Sequence, residues 1–191
     1  MKIFLFVLCI MLLSICSSSA FAKNNCISIG LGGFIPSQNS VDVSNGTSDL
    51  SNGGTFLIDY EYKNTKNVAI LFGIEGNSSK SKDILINTQT GELGKIEYGY
   101  SAFYGAVKYI FNPDDSFKLF GIGGLAYSDL EIEFTNIKGS ESVIGLYIGG
   151  GIEKMLGDSV KLGAQIDHRT GSKDGIKMGG TGISLKIGYC F

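Results

Sequence analysis

The sequence predicts an all-β protein, an eight-stranded antiparallel up-and-down barrel that crosses a membrane on its strands. Three observations carry this reading. Eight stretches with strand character follow an apolar N-terminus in the 191-residue chain. The connections between them alternate short and long. Within the strands, period-two alternation sends apolar side chains to one face and nine charges to the other. A barrel in water would then bury charge and expose hydrocarbon, whereas a barrel in lipid requires that arrangement.

Lys2, the apolar run from Ile3 to Ile15 and the small-residue site Ala20-Phe21-Ala22 read as a secretory signal peptide cleaved after Ala22. The run is too short for a spanning helix, and no later segment reaches the roughly 18 to 20 apolar residues one needs. Cys16 and Cys26 both lack lipidation-motif character. Residues 23–191 are expected to form one domain, because no linker divides them. The expected strands run near 26–35, 54–62, 68–76, 96–111, 117–128, 142–155, 160–169 and 180–191. Turns at 63–67, 112–116 and 156–159 carry the Asn, Pro, Gly and Asp that tight connections need. Longer polar loops at about 36–53, 77–95, 129–141 and 170–179 should lie on the extracellular rim, with the short turns periplasmic.

The lipid-facing set includes Ile27, Ile29 and Leu31; Phe56 and Ile58; Ile70, Phe72 and Ile74; Phe103 and Val107; Leu119 and Leu125; Leu146, Ile148 and Ile152; and Leu162 and Ile166. The lumenal set holds Asp59, Glu61, Glu75, Lys108, Lys118, Glu153, Lys161, Asp167 and Lys186. Tyr60, Tyr62, Tyr109, Phe111, Phe117, Tyr189 and Phe191 fall beside the short turns and should form a periplasmic aromatic girdle. In the fourth strand, parity is expected to change between Tyr98 and Tyr100 on one side and Phe103 on the other, which calls for a bulge or an extramembrane stretch. Turn positions predict Lys108 opposite Lys118 and Glu153 opposite Lys161, with acids offsetting the lysines. Eight strands leave an interior that side chains just fill, so a packed polar plug is favoured over an ion path.

Cys26 and Cys190 remain after processing, at the same rim of the first and last strands, which closure makes neighbours. A seam disulfide is the expectation and two unpaired thiols the alternative. His168 is the sole histidine, expected near the extracellular end of the seventh strand with outward parity. A nucleophile would need an adjacent base and an orienting group, yet Thr170 and Asp174 are the nearest candidates. No residues stand at metal-ligand spacing, so no metal or cofactor is expected. The mildly acidic mature chain gives no reason to expect a nucleic-acid partner. The Asn45 and Asn77 sequons read as accidental in this compartment. Apolar Ile84, Leu85 and Ile86 in the second loop, and Leu130, Ile132 and Phe134 in the third, either extend strands or offer an edge for strand addition.

The last residues, Leu185-Lys186-Ile187-Gly188-Tyr189-Cys190-Phe191, resemble the C-terminal signal by which Gram-negative outer-membrane barrels are recognised, with Leu185, Ile187, Tyr189 and Phe191 on one face. With the Gly-x-aromatic strand rhythm, this ending makes the chain similar to the outer membrane protein β-barrel family of opacity-type proteins and OmpA-like transmembrane domains. Cys190 departs from the usual polar or basic residue at its position. The resemblance implies residence in the Gram-negative outer membrane among its lipids, delivery by the barrel assembly machinery, and a structural or surface-interaction role through four external loops with a possible host or surface partner. A non-enzymatic protein is expected; a narrow porin-like channel, a lipid A deacylase-type hydrolase and a soluble lipocalin-like carrier are progressively weaker alternatives.

Overall fold

A computed structural model describes residues 24–37, 40–43, 46–49, 51–81, 85–86, 93–94, 96–134, 137–173, 176–177 and 179–191. Eight long strands form the wall: β1 (Asn25–Pro36), β2 (Gly53–Lys63), β3 (Val68–Lys80), β4 (Ile96–Ile110), β5 (Phe117–Phe134), β6 (Ile137–Leu156), β7 (Val160–Arg169) and β8 (Gly180–Cys190). Each pairs antiparallel with its sequence neighbours, and β1 pairs with β8 to close the barrel. Short hairpins rise from three of the long connections, at Ser40–Val43 with Gly46–Asp49, Leu85–Ile86 with Leu93–Gly94, and Ser172–Lys173 with Ile176–Lys177.

Closure is staggered. A path through paired residues from Cys26 by way of Glu61, Leu71, Ala106, Gly124, Tyr147, Arg169 and Gly180 returns to the first strand at Pro36, ten residues higher. That stagger corresponds to strands tilted by about 35–45°. The tilt brings residues from remote strands to a common height inside.

The faces sort by polarity. Ile29, Leu31, Phe72, Val107, Leu125, Ile148, Ile166 and Ile187 are exposed on the outer wall, and Leu185 is 73% exposed. Asp59, Glu61, Glu75, Lys108, Glu153, Lys161 and Asp167 are buried inside. Lipid, unlike water, imposes no penalty on the bare hydrocarbon outside. Tyr109 packs edge-on to Phe111, and Tyr189 stacks on Phe191, at the rim that carries the short turns.

Three expectations need correction. β4 changes no parity, because its ladders run without interruption, to β3 from Tyr109 to Glu97 and to β5 from Ile110 to Ile96. Tyr98 and Tyr100 simply point into the lumen, as do Ala102, Tyr104 and Lys108. Lys108 faces Ile122, not Lys118. The Asn112 side chain replaces backbone rungs there, donating to the Phe117 carbonyl (2.8 Å) and accepting from the Leu119 amide (2.5 Å), so pairing starts only at Ile110 and Phe120. Glu153 likewise faces Gly163 rather than Lys161, because Leu156 and Val160 close a three-residue turn at Gly157, where φ is +64°.

Two strands outgrow the rest. β5 has 18 residues and β6 has 20, against 10 in β7 and 11 in β8. A tilted strand crosses the apolar layer in about 9–11 residues. The β5–β6 hairpin therefore continues well above the membrane.

Candidate functional site

The lumen is built in tiers. At the periplasmic end, Glu61, Lys108, Glu153 and Lys161 converge from β2, β4, β6 and β7. Lys108 Nζ donates to Glu61 Oε2 (2.8 Å) and Glu153 Oε2 (2.5 Å). Lys161 Nζ donates to Glu61 Oε2 (2.7 Å) and lies 3.7 Å from Glu153. Lys108 also sits 4.4 Å over the Phe120 ring. Two acids and two lysines thus share four contacts. Lys118 stands half-buried at the mouth, paired across the ladder with Glu153 and outside this tetrad.

Above it, Lys186 contacts Asp59, which also accepts a hydrogen bond from the Tyr104 hydroxyl. Tyr104 fits because the facing lumenal residue is Gly73, where any Cβ would meet the phenol ring. Lys186 further donates to Gln165 Oε1 (3.0 Å). The Gln165 amide in turn donates to the Tyr147 hydroxyl (2.8 Å) and Asp167 Oδ1 (3.0 Å). The next tier centres on Arg169, 0% exposed. Its Nη2 contacts Glu75 and donates to Asp167 Oδ2 (2.6 Å), while its guanidinium lies between the Tyr100 and Tyr147 rings at 5.6 and 5.8 Å. The Thr55 hydroxyl donates to Glu75 (2.8 Å). Phe34, Tyr98, Tyr100, Ala102 and Leu130 then close the extracellular end, with Phe34 and Tyr100 stacked 6.0 Å apart.

Little space remains. The void beside Glu61, Lys108 and Lys161 measures about 10 Å³, room for roughly one water. The lumenal side chains interlock across the barrel instead of lining a bore.

Cys26 and Cys190 face one another across the β1–β8 seam and are bonded, with Cα atoms 4.0 Å apart. Leu185, Ile187 and Tyr189 share the lipid face of β8, and Phe191 ends the chain beside Tyr189. His168 stands on the outer wall with Nδ1 3.0 Å from the Thr181 hydroxyl on β8. Thr170 is occupied elsewhere, its hydroxyl accepting from the Leu146 amide. The structure therefore does not join His168 to Thr170, and Asp174 lies outside the described residues. So do residues 1–22 and the sequon position Asn45. No group of three or more potential metal ligands occurs among the described residues. Leu130 is buried in the lumen and the β5 segment up to Phe134 is paired on both sides, so it offers no free edge.

Reading along the sequence missed Arg169, Gln165, Thr55 and the lumenal tyrosines as partners of the lumenal charges. The available signal was parity. Gln165 and Arg169 alternate in step with Lys161 and Asp167, and Tyr98, Tyr100 and Tyr104 are in step with Lys108.

Several solved structures share this architecture. Neisserial surface protein A aligns at a TM-score of 0.62 and 12% identity, over 90% of this chain and all of that one. Ail, the attachment invasion locus protein of Yersinia pestis, solved with the heparin analogue sucrose octasulfate, gives 0.59 and 17% over the same shares. OprG from Pseudomonas aeruginosa gives 0.58 and 13%, over 89% of this chain and 96% of that one. Comparison with curated protein sequences finds no match. The described fold agrees with a sequence match over residues 8–191, by which the chain belongs to the outer membrane protein beta-barrel domain family.

Proposed function

We infer that this small outer-membrane barrel is a structural and surface-interaction protein, a closed scaffold that holds its extracellular loops for contact with a host or surface partner. The observation that carries the reading is the contrast between a lumen packed with paired charges and tyrosines and a β5–β6 hairpin that outruns the membrane. A barrel without a bore has its outward surface left for function. Ail, with its bound heparin analogue, is a similar fold that carries a ligand. In this reading residues 1–22 are removed on export, and outer-membrane lipids surround the wall. Leu185, Ile187, Tyr189 and Phe191 present the assembly signal to the barrel assembly machinery. The protein acts without enzymatic activity, cofactor or nucleic acid.

The experiment is adhesion of cells displaying the intact barrel, compared with cells displaying it with the β5–β6 hairpin cut back to the membrane. Adhesion above the empty-vector level that falls with the trimmed hairpin supports the reading. Equal adhesion of empty-vector and barrel-displaying cells to every host surface tested overturns it.

The narrow channel is the second reading, because the lumenal charges form tiers along the barrel axis. Sustained, defined conductance of the wild-type barrel in planar bilayers would establish it against the plug.

A further inference from the structure

The periplasmic end of the seam is built shut. In an antiparallel pair, facing residues alternate between those that exchange two backbone hydrogen bonds and those that exchange none, and the second kind stand closer together. Asn25 and Phe191 exchange both, at 3.2 and 2.8 Å. One step inward, Cys26 and Cys190 exchange none. The Cys190 amide donates instead to the Ser159 carbonyl (2.7 Å), and the same alternation turns the backbone of Cys26 toward β2. The two side chains therefore meet on the lumenal face of a close pair, where they are bonded.

Their surroundings cut them off from outside. Below the sulfurs lies the Asn25–Phe191 rung, and the Tyr60 hydroxyl from β2 holds the Asn25 side chain by donating to its Oδ1 (2.7 Å). On the other side stands Glu61, the ladder partner of Cys26, which is tied to Lys161 (2.7 Å) beside a void of about 10 Å³. Cys26 is left 5% exposed and Cys190 4%.

Thiol–disulfide exchange depends on access to the sulfur that is attacked. A protein oxidant must bring its own active-site sulfur to Cys26 or Cys190, and the closed barrel leaves no path for it. Formation of the bond belongs to an earlier stage. While β1 and β8 are still apart, both thiols are open to an oxidising compartment.

We propose that this chain is a substrate of a periplasmic dithiol–disulfide oxidant before its barrel closes, and that closure of the β1–β8 seam then shields the bond from further exchange. One cysteine thiolate attacks the oxidant's disulfide, forming a mixed disulfide and expelling the oxidant's other sulfur as a thiolate. The second cysteine thiolate attacks the chain's sulfur in that mixed disulfide and releases the oxidant as a dithiol. Two electrons pass from the cysteine pair to the oxidant, and the two protons the cysteines lose end on its two sulfurs. The seam strands thus reach closure already tethered, although 164 residues separate their cysteines. The proposal is independent of what the loops contact.

The test measures exchange with the barrel intact. Protein extracted from outer membranes into detergent micelles, and the same protein in urea, are treated with dithiothreitol, and released thiols are trapped by alkylation and counted by mass spectrometry. The folded barrel is reduced at least about tenfold more slowly, because the Asn25–Phe191 rung must open first. Tyr60→Phe frees the Asn25 side chain and speeds reduction of the folded barrel about fivefold, at unchanged heat-modifiable gel migration, the mark of a closed barrel. In cells, alkylation at intervals after synthesis finds oxidised chains before heat-modifiable ones. Equal reduction rates in micelles and urea overturn the shielding, and an unchanged rate in Tyr60→Phe overturns the seam end as its barrier. A heat-modifiable barrel that is reduced when it first appears and becomes oxidised later overturns the order of events.

Discussion

The periplasmic and extracellular halves of the lumen solve the same electrostatic problem in different ways. Below, Glu61 and Glu153 face Lys108 and Lys161, and each lysine touches both acids. Above, Arg169 alone stands between Glu75 and Asp167, with its guanidinium near the Tyr100 and Tyr147 rings. The lower tier is redundant and the upper tier is a hub. Buried charge is tolerated in both, yet the loss of one side chain leaves very different residues behind. In the lower tier the surviving acid still reaches both lysines. In the upper tier two carboxylates are left facing each other without a cation.

The largest effect is expected at the seam beneath the lower tier. Replacing Cys26 and Cys190 by Ser releases a cross-link spanning 164 residues and should cost about 4–5 kcal/mol by the chain-entropy argument. Denaturant unfolding in micelles checks it, and a loss near zero would mean that seam hydrogen bonds alone hold the ends. Arg169→Met comes next, at about 3–5 kcal/mol, because it strands two buried carboxylates. The same variant should show lumenal leakage in planar bilayers where the wild type shows none.

Glu61→Gln sharpens the contrast. Glu153 keeps its contacts with both lysines, so the loss should be smaller, about 1–3 kcal/mol. An effect equal to that of Arg169→Met would refute redundancy. The mildest change is Tyr100→Phe, which removes the hydrogen bond to Ser128 (2.6 Å) but keeps the rings beside Phe34 and Arg169. About 1 kcal/mol is expected, and a larger loss would show that the extracellular cap depends on polar contacts rather than stacking.

Strand number and most side-chain facing are legible in the sequence because each strand's own residues decide them. Ile29 and Leu31 against Gly30, or Phe72 and Ile74 against Gly73, need only a two-residue period to be sorted. Cys26 and Cys190 could be matched because closure must join the first strand to the last. Harder cases failed for local reasons. Tyr98 and Tyr100 suggest a change of parity against Phe103, since an aromatic suits either face and only its neighbours decide. The Lys108 and Glu153 pairings are not legible in the sequence, because a turn's effective length depends on side chains such as Asn112 and on Gly157, not on the number of residues between strands.

What the amino-acid order determined by itself was the inside-out wall, because lipid acts on every outward side chain separately and a period of two suffices to satisfy it. Tertiary structure alone decided which charges meet, as when Glu61 and Lys161, 100 residues apart in sequence, share one contact. It also decided that the β6–β7 ladder stops at Tyr147 and Arg169 while β6 runs on with β5. Both depend on the ten-residue stagger and on where neighbouring strands end. Those are properties of the closed ring, and no single strand contains them.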